Sequence, residues 1–272
     1  MYVRFWGVRG STPTPIKSNL RYGGNTPCIE LRLKNDDLFV LDCGTGFRQL
    51  GKALAEEHGS NPIRARIFLT HFHWDHIQGI PFFTPLYHER NQFLFHGFYF
   101  QNESVQQALE GQMSGPYFPV DMKTMVANRH FYEIAEESIS FDDLVVRSRR
   151  LNHPQGCLGY RLECEGKVLV YATDNEPGER RGDHNVRLLA DGADLLIYDA
   201  QYTPNEMKSH RNWGHSNFRE GIRVAKECKV KKLVLFHHDP DRSDAEVDKI
   251  LKHARDHFDE VLAAKEGLVV KV

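Results

Sequence analysis

Residues 67–80 read IFLTHFHWDHIQGI. An apolar run ends in three histidines and an aspartate gathered into six positions, His71 to His76. IFLT has the composition of a buried strand. If the chain stays extended just beyond it, His71 and His73, two residues apart, point to the same side. Asp75 and His76 then fall where the strand gives way to a helix, and a turn there aims two more ligands at a neighbouring point. Imidazole nitrogen with carboxylate oxygen is a donor set that suits zinc and, less tightly, manganese. With 15 histidines in 272 residues, chance is a poor explanation for this clustering.

On either side of this stretch the chain reads as strands in runs. YVRFWG, CIELRL and LFVLDC come first, then a helix over 46–57 whose stripe is Phe47, Leu50, Gly51 and Leu54. RIFLT follows. In the second half LVVRSRR, LGYRLEC and KVLVYAT read as consecutive strands, with DLLIYDA another after a short helix. A helix near 217–228, the strand KLVLFHH and a helix near 244–258 complete the order. The last helix opens on a capping box, Ser243 with Glu246, and carries Val247, Ile250, Leu251, Ala254 and Phe258 on one face. Strands in runs fit two packed mixed sheets with helices outside, an α/β (α+β) class, better than one parallel sheet. No repeat or linker divides residues 1–272, which are expected to form one domain.

Composition narrows the function. Hydrophobic residues at 40% and charged residues at 26% are ordinary for a globular protein. The formal net charge of −2 argues against affinity drawn from a basic surface, so nucleic acid is not expected as a partner. Five cysteines form no CxxC pair and are odd in number, which points to reduced thiols and a cytoplasmic location. Neither a signal-peptide core nor a run of ~20 apolar residues is present, so no membrane is expected.

HFHWDH resembles the HxHxDH signature of the metallo-β-lactamase-fold hydrolases. GVRGSTPTP and GGNTPC resemble the N-terminal loop and following strand of the ribonuclease Z-like branch, and DCGTG its DCGxG turn. His153 in LNHP, Asp174 in YATD and His237 in LFHHDP match its remaining metal ligands, with His238 adjacent as a competitor for the last. The resemblance implies a four-layer αββα sandwich with the site at the mouth between two mixed sheets. It implies two divalent ions, zinc first and manganese second, since a glutamate at position 73 would have resembled the di-iron members. His71, His73 and His153 would hold one ion and Asp75, His76 and His237 the other, with Asp174 bridging. Two such ions about 3.5–4 Å apart share a hydroxide and clamp an in-line displacement at phosphorus.

Further roles follow from the same resemblance. DLLIYDA and WGHSNF resemble the buried-acid strand and the His-Ser-Thr element of ribonuclease Z. They pair Asp199 with His215, carboxylate orienting the imidazole that protonates the leaving oxygen. The competing reading of His215 is a cap for the helix at 217. Asp75 is expected to be catalytic as well as a ligand, and Asp42 to orient a ligand from behind. Arg9 and Ser11, in the N-terminal loop, are expected to bind substrate phosphate. PFFTPLYHER, FHGFYFQ and SGPYFPV offer aromatic walls for a base, or a dimer interface.

Ribonuclease Z carries a long transfer-RNA-gripping arm between the ligands matched by His153 and Asp174, where this chain has twenty residues taken up by two strands. The expected activity is therefore hydrolysis of a small cyclic phosphodiester, above all 3′,5′-cyclic nucleotides, with a homodimer as the family's habit. Transfer RNA 3′-end processing and an acyl hydrolase such as a lactonase are the alternatives. A non-enzymatic subunit is disfavoured because all seven ligand matches are intact.

Overall fold

The computed structural model describes residues 1–99 and 103–272; Phe100 and Gln101 of the aromatic segment FHGFYFQ lie outside the described residues. The first half builds strands β1 (Tyr2–Gly7), β2 (Cys28–Arg32), β3 (Leu38–Leu41), β4 (Arg64–Phe68), β5 (Gln92–Gly97) and β6 (Asn128–Glu133). The second half builds β7 (Ser138–Phe141), β8 (Leu144–Leu151), β9 (Cys157–Cys164), β10 (Lys167–Ala172), β11 (Leu195–Asp199), β12 (Lys232–Phe236) and β13 (Val261–Ala263). A last strand, β14 (Val269–Lys271), returns to the first sheet. Two seven-stranded sheets result, ordered β14-β1-β2-β3-β4-β5-β6 and β13-β12-β11-β10-β9-β8-β7. Both are mixed. From β14 to β3 and from β7 to β10 the pairings are antiparallel, and from there to β6 and to β13 they are parallel.

Residue alternation makes the layers. In β3, Phe39 and Leu41 face the core between the sheets, where they join Phe5, Ile29, Phe68, Tyr160, Tyr171, Ile197 and Phe236. Leu38 and Val40 face the other way, onto Phe47, Leu50 and Leu54 of helix α1 (Gly46–His58). Short helices α2 (Trp74–Ile77) and α3 (Val105–Gly111) follow on that side of the chain. Across the second sheet, Val170, Ala172, Leu196, Tyr198, Leu233 and Leu235 meet α4 (Arg180–Ala190), α5 (Phe218–Glu227) and α6 (Asp244–Arg255). Strands buried on both faces explain why LFVL and LLIYD read as continuous apolar runs. The expected αββα sandwich is the one that forms.

Helix punctuation also follows the sequence. Ser243 and Glu246 form the reciprocal capping box of α6. The side chain of Asn217 caps α5, accepting from the amides of Arg219 and Glu220, so His215 is not the cap. Strands β5, β6, β7, β13 and β14 were not read from the sequence. All five cysteines are free and buried, and among the described residues no helix is long and apolar enough to cross a membrane.

Candidate metal centre

The site gathers at the carboxyl ends of the parallel strands, where open α/β sheets present ligand-binding side chains. Asp42 follows β3, His71 follows β4, Asp174 follows β10, Asp199 ends β11 and His237 follows β12. Asp42, Asp174 and His237 leave their strands in the left-handed region, with φ of 60°, 54° and 59°. That conformation costs a non-glycine residue ~1–2 kcal/mol, and aspartate and histidine are among the types that adopt it most readily. Three such residues at one mouth indicate a backbone bent to place side chains. His153 arrives from the loop between β8 and β9, and α2 supplies Asp75 and His76.

Five imidazoles converge, each tethered by its outer nitrogen. His71 Nδ1 lies 3.0 Å from Thr70 Oγ1, and His76 Nδ1 lies 2.8 Å from Asp42 Oδ2. His153 Nδ1 meets the Gly214 carbonyl at 2.9 Å. His73 Nε2 meets Gln155 Oε1 at 3.0 Å, and His237 Nδ1 meets Gln201 Oε1 at 2.9 Å. Carbonyl and carboxylate partners only accept, so the outer nitrogens of His73, His76, His153 and His237 carry the proton and the inner ones turn a lone pair inward. The inner nitrogens of His73 and His153 are 3.1 Å apart, lone pair against lone pair. The inner nitrogens of His71 and His76 are buried and make no hydrogen bond.

Two carboxylates complete the ring. Asp75 Oδ2 lies 3.3 Å from both His76 Nε2 and His237 Nε2. Asp174 divides its oxygens: Oδ1 faces His153 and His71 at 3.8 and 4.0 Å, while Oδ2 faces His76 and His237 at 3.3 and 3.5 Å. Within 4.8 Å of one another lie donor atoms of His71, His73 and His153, of Asp75, His76 and His237, and of His71, His76 and Asp174. Inward lone pairs, buried unpartnered nitrogens and two carboxylates fit a divalent cation well. Burial pushes the His71 and His153 imidazoles down, the latter to about 4, which keeps them neutral and able to ligate.

His215 stands beside this cluster. Its Nδ1 is 3.0 Å from Asp199 Oδ2. Burial pulls this imidazole down, but the Asp199 carboxylate outweighs it and pushes the group up to about 9. Asp199 and His215 also group with Asp174 and His237 by proximity. Asp199, however, is saturated: Oδ2 accepts from the Asp174 amide and His215, and Oδ1 from the amides of Gln201 and Ser216. It anchors; it has no lone pair left to ligate. Asp42 does the same for the other side, accepting from the Thr70 amide and Tyr171 Oη as well as meeting His76.

The remaining expectations divide. His237 faces the cluster, whereas His238 Nε2 turns away to the Ala264 carbonyl at 2.8 Å. The Ser11 amide donates to Asp75 Oδ2 at 2.8 Å, and Ser11 borders the mouth, a space of about 460 Å³ shared with Phe72, His73, Trp74, Asp75, Asp174 and His215. Arg9 corrects the reading that made it a phosphate contact. It is fully buried, with Nε on the Gly23 carbonyl and Nη1 on the carbonyls of Asp239 and Arg242, so its guanidinium ties loops together. Much of the aromatic material is core: Phe83 stacks on Phe47 at 3.7 Å. Phe98 and Phe72 border a recess of about 190 Å³ beside His71 and His73.

The beta-lactamase superfamily domain matches residues 38–238, a span holding every residue of the cluster. The chain belongs to this superfamily. Its relatives place it on the ribonuclease Z-like branch. Ribonuclease Z of Thermococcus gammatolerans is 28% identical over 87% of this chain and 83% of its own length. The human short-form tRNase Z structure superposes with a TM-score of 0.71 at 20% identity, covering 100% of this chain and 98% of that one. A diphosphatase from the PhnP family gives 0.72 at 19% identity, with 100% and 97% covered. These relatives correct the expectation that nucleic acid is not a partner. Overall charge does not exclude such a partner, because a relative named Ribonuclease Z matches this chain over most of both lengths. Two contacts escaped the sequence reading altogether. Gln155 and Gln201 orient His73 and His237 from loops whose spacing to their partners follows no local pattern.

Proposed function

We propose that this protein is a dinuclear metal-dependent phosphodiesterase that cleaves RNA, in the manner of transfer RNA 3′-end processing. The observation that carries the chemistry is the ring of inward lone pairs around Asp174, whose two oxygens are shared between two ligand sets. His71, His73 and His153 would hold one ion, Asp75, His76 and His237 the other, and Asp174 both, with zinc the best match to the donors and manganese next. Bound divalent ions supply Lewis acidity and an activated water for in-line attack at phosphorus. The ribonuclease Z relatives support RNA as the substrate class.

The chain's own groups supply the rest. Asp199 fixes the His215 tautomer with Nδ1 protonated, leaving Nε2 on the opposite ring edge. With the group pushed up to about 9, His215 holds a proton through neutral pH and donates it to the leaving ribose oxygen. Asp75, held by the Ser11 amide, keeps a carboxylate aimed at the second ligand set, and Ser11 Oγ at the mouth contacts the phosphate.

A second reading, a small cyclic phosphodiester such as a 3′,5′-cyclic nucleotide, is favoured by one observation. β9 and β10 are joined only by Glu165 and Gly166, so no arm projects there. Kinetics of zinc- or manganese-loaded protein on precursor transfer RNA, cyclic nucleotides and a lactone decide between them. Efficient cutting at the transfer RNA 3′ end with inert cyclic nucleotides is the expected result. Inert RNA with turnover of a cyclic nucleotide would replace the first reading by the second.

A further inference from the structure

We propose that Trp74 and Trp213 form a platform on which unstacked bases of a single RNA strand lie beside the metal cluster. The inference rests on the reading of the protein as an RNA phosphodiesterase and names how the strand is held. The chain has three tryptophans. Trp6 is partly buried and donates from Nε1 to Glu30 at 2.8 Å. Trp74 and Trp213 are 75% and 58% exposed. Indoles are the largest apolar side chains, and leaving two of them in water does nothing for folding.

Both exposed tryptophans stand next in sequence to residues that form or orient the cluster, on firm backbone. Trp74 lies between His73 and Asp75 and lines the mouth with His215 and Asp174. It opens α2, a single turn whose other residues, Asp75, His76 and Ile77, are buried, so the ring is thrown outward. That turn is bolted down: the Cys43 amide donates to the His76 carbonyl at 2.7 Å, and the Gly79 amide to the Cys43 carbonyl at 2.9 Å. Gly44 packs so closely there that a Cβ would fall 2.2 Å from the Asp75 carbonyl oxygen.

Trp213 precedes Gly214, whose carbonyl holds His153. The amides of Asn212 and Gly214, on either side of the tryptophan, both donate to the Glu176 carboxylate at 2.9 Å. Its ring stands edge-on to His210 at 4.9 Å, and His210 stacks on Tyr202 at 4.3 Å. Lys208 and Arg211, in the same loop, line the adjoining depression together with the carboxylates of Glu176 and Glu179; Glu176 is engaged by the two amides, and the two cations can meet backbone phosphates.

Exposed aromatic faces interleaved with cations are the elements of sequence-tolerant single-strand binding. Rigid rings lose little freedom when a base stacks on them. Two rings also specify a strand, because a mononucleotide has one base to offer.

The test uses the full chain stripped of metal by chelation, so that binding is read without cleavage. A short single-stranded oligoribonucleotide should quench the intrinsic tryptophan fluorescence. Trp74→Ala and Trp213→Ala should each weaken its binding, measured by anisotropy of a labelled strand, about 5- to 150-fold. Trp74→Phe and Trp213→Tyr should recover part of the loss, and Trp6→Phe should bind as the parent does. Circular dichroism checks that each variant is folded. RNA binding without quenching, or alanine variants that bind like the parent, would overturn the platform and leave the RNA reading standing. A parent that binds no RNA yet turns over a cyclic nucleotide would overturn both. Indoles shielded from acrylamide in an RNA-free dimer would make this face a subunit interface and overturn the platform.

Discussion

In the proposed mechanism His215 is kept for proton transfer, because its Nδ1 is engaged by Asp199 while four other imidazoles face the Asp174 carboxylate. His215→Ala should keep both metal equivalents by elemental analysis and lose on the order of 10²–10⁴ in turnover on RNA, whose leaving ribose oxygen needs a proton. On bis(p-nitrophenyl) phosphate the loss should be far smaller, since p-nitrophenolate leaves unprotonated. Equal losses on both substrates would make His215 a positioning group. The seven residues that face inward were legible because HxHxDH concentrates four of them in six positions, and His153, Asp174 and His237 stand just after strands in family order. Arg9 was not legible. A loop arginine looks exposed in sequence, and only packing against residues 239–242, more than 200 positions away, buries its guanidinium.

Strand β5 carries a buried histidine unconnected with ligation. His96 stacks between Phe68 at 4.7 Å and Tyr132 at 5.0 Å, and burial pushes it down to about 4. Its unfolded value is ~6.5. The unfolded chain therefore binds the proton more tightly, and stability falls as pH drops from about 6.5 to about 4, then levels. At ~1.4 kcal/mol per unit the loss from this group is about 3 kcal/mol. Urea unfolding of His96→Phe, which keeps a ring in the stack, should show an acid limb shallower than the parent's by that amount. Parallel limbs would assign the acid sensitivity elsewhere. The elements that sequence did reveal, such as LFVL and LLIYD, are buried on both faces. Those it hid are edge or near-edge strands: β6 is NRHFYE with four exposed positions, and β13 and β14 have three residues each. β14 becomes a strand only through β1, a partner remote in the chain.

The two halves of the chain repeat one plan, antiparallel pairs leading to parallel ones, and each half brings part of the cluster. His71, His73, Asp75 and His76 come from the first sheet's side, His153, Asp174 and His237 from the second's. Cations bound between them should hold the sheets together. At about a thousandfold excess over Kd one ion contributes ~4 kcal/mol, and a chain of this size shifts ~2–4 °C per kcal/mol. Chelation should therefore lower Tm by roughly 8–16 °C for each ion removed while leaving the far-ultraviolet spectrum unchanged, as scanning calorimetry and circular dichroism would show. An unchanged Tm would mean that the ring of histidines binds no ion. The chain passes from the first sheet to the second in residues 134–137, between β6 and β7, and only β14 returns, through residues 264–268. Neither half owns a complete reaction centre, so chemistry here amounts to a handshake: a polypeptide cut at that crossing has two pieces, each inert alone, and any turnover they regain together counts the molecules in which the pieces have found each other.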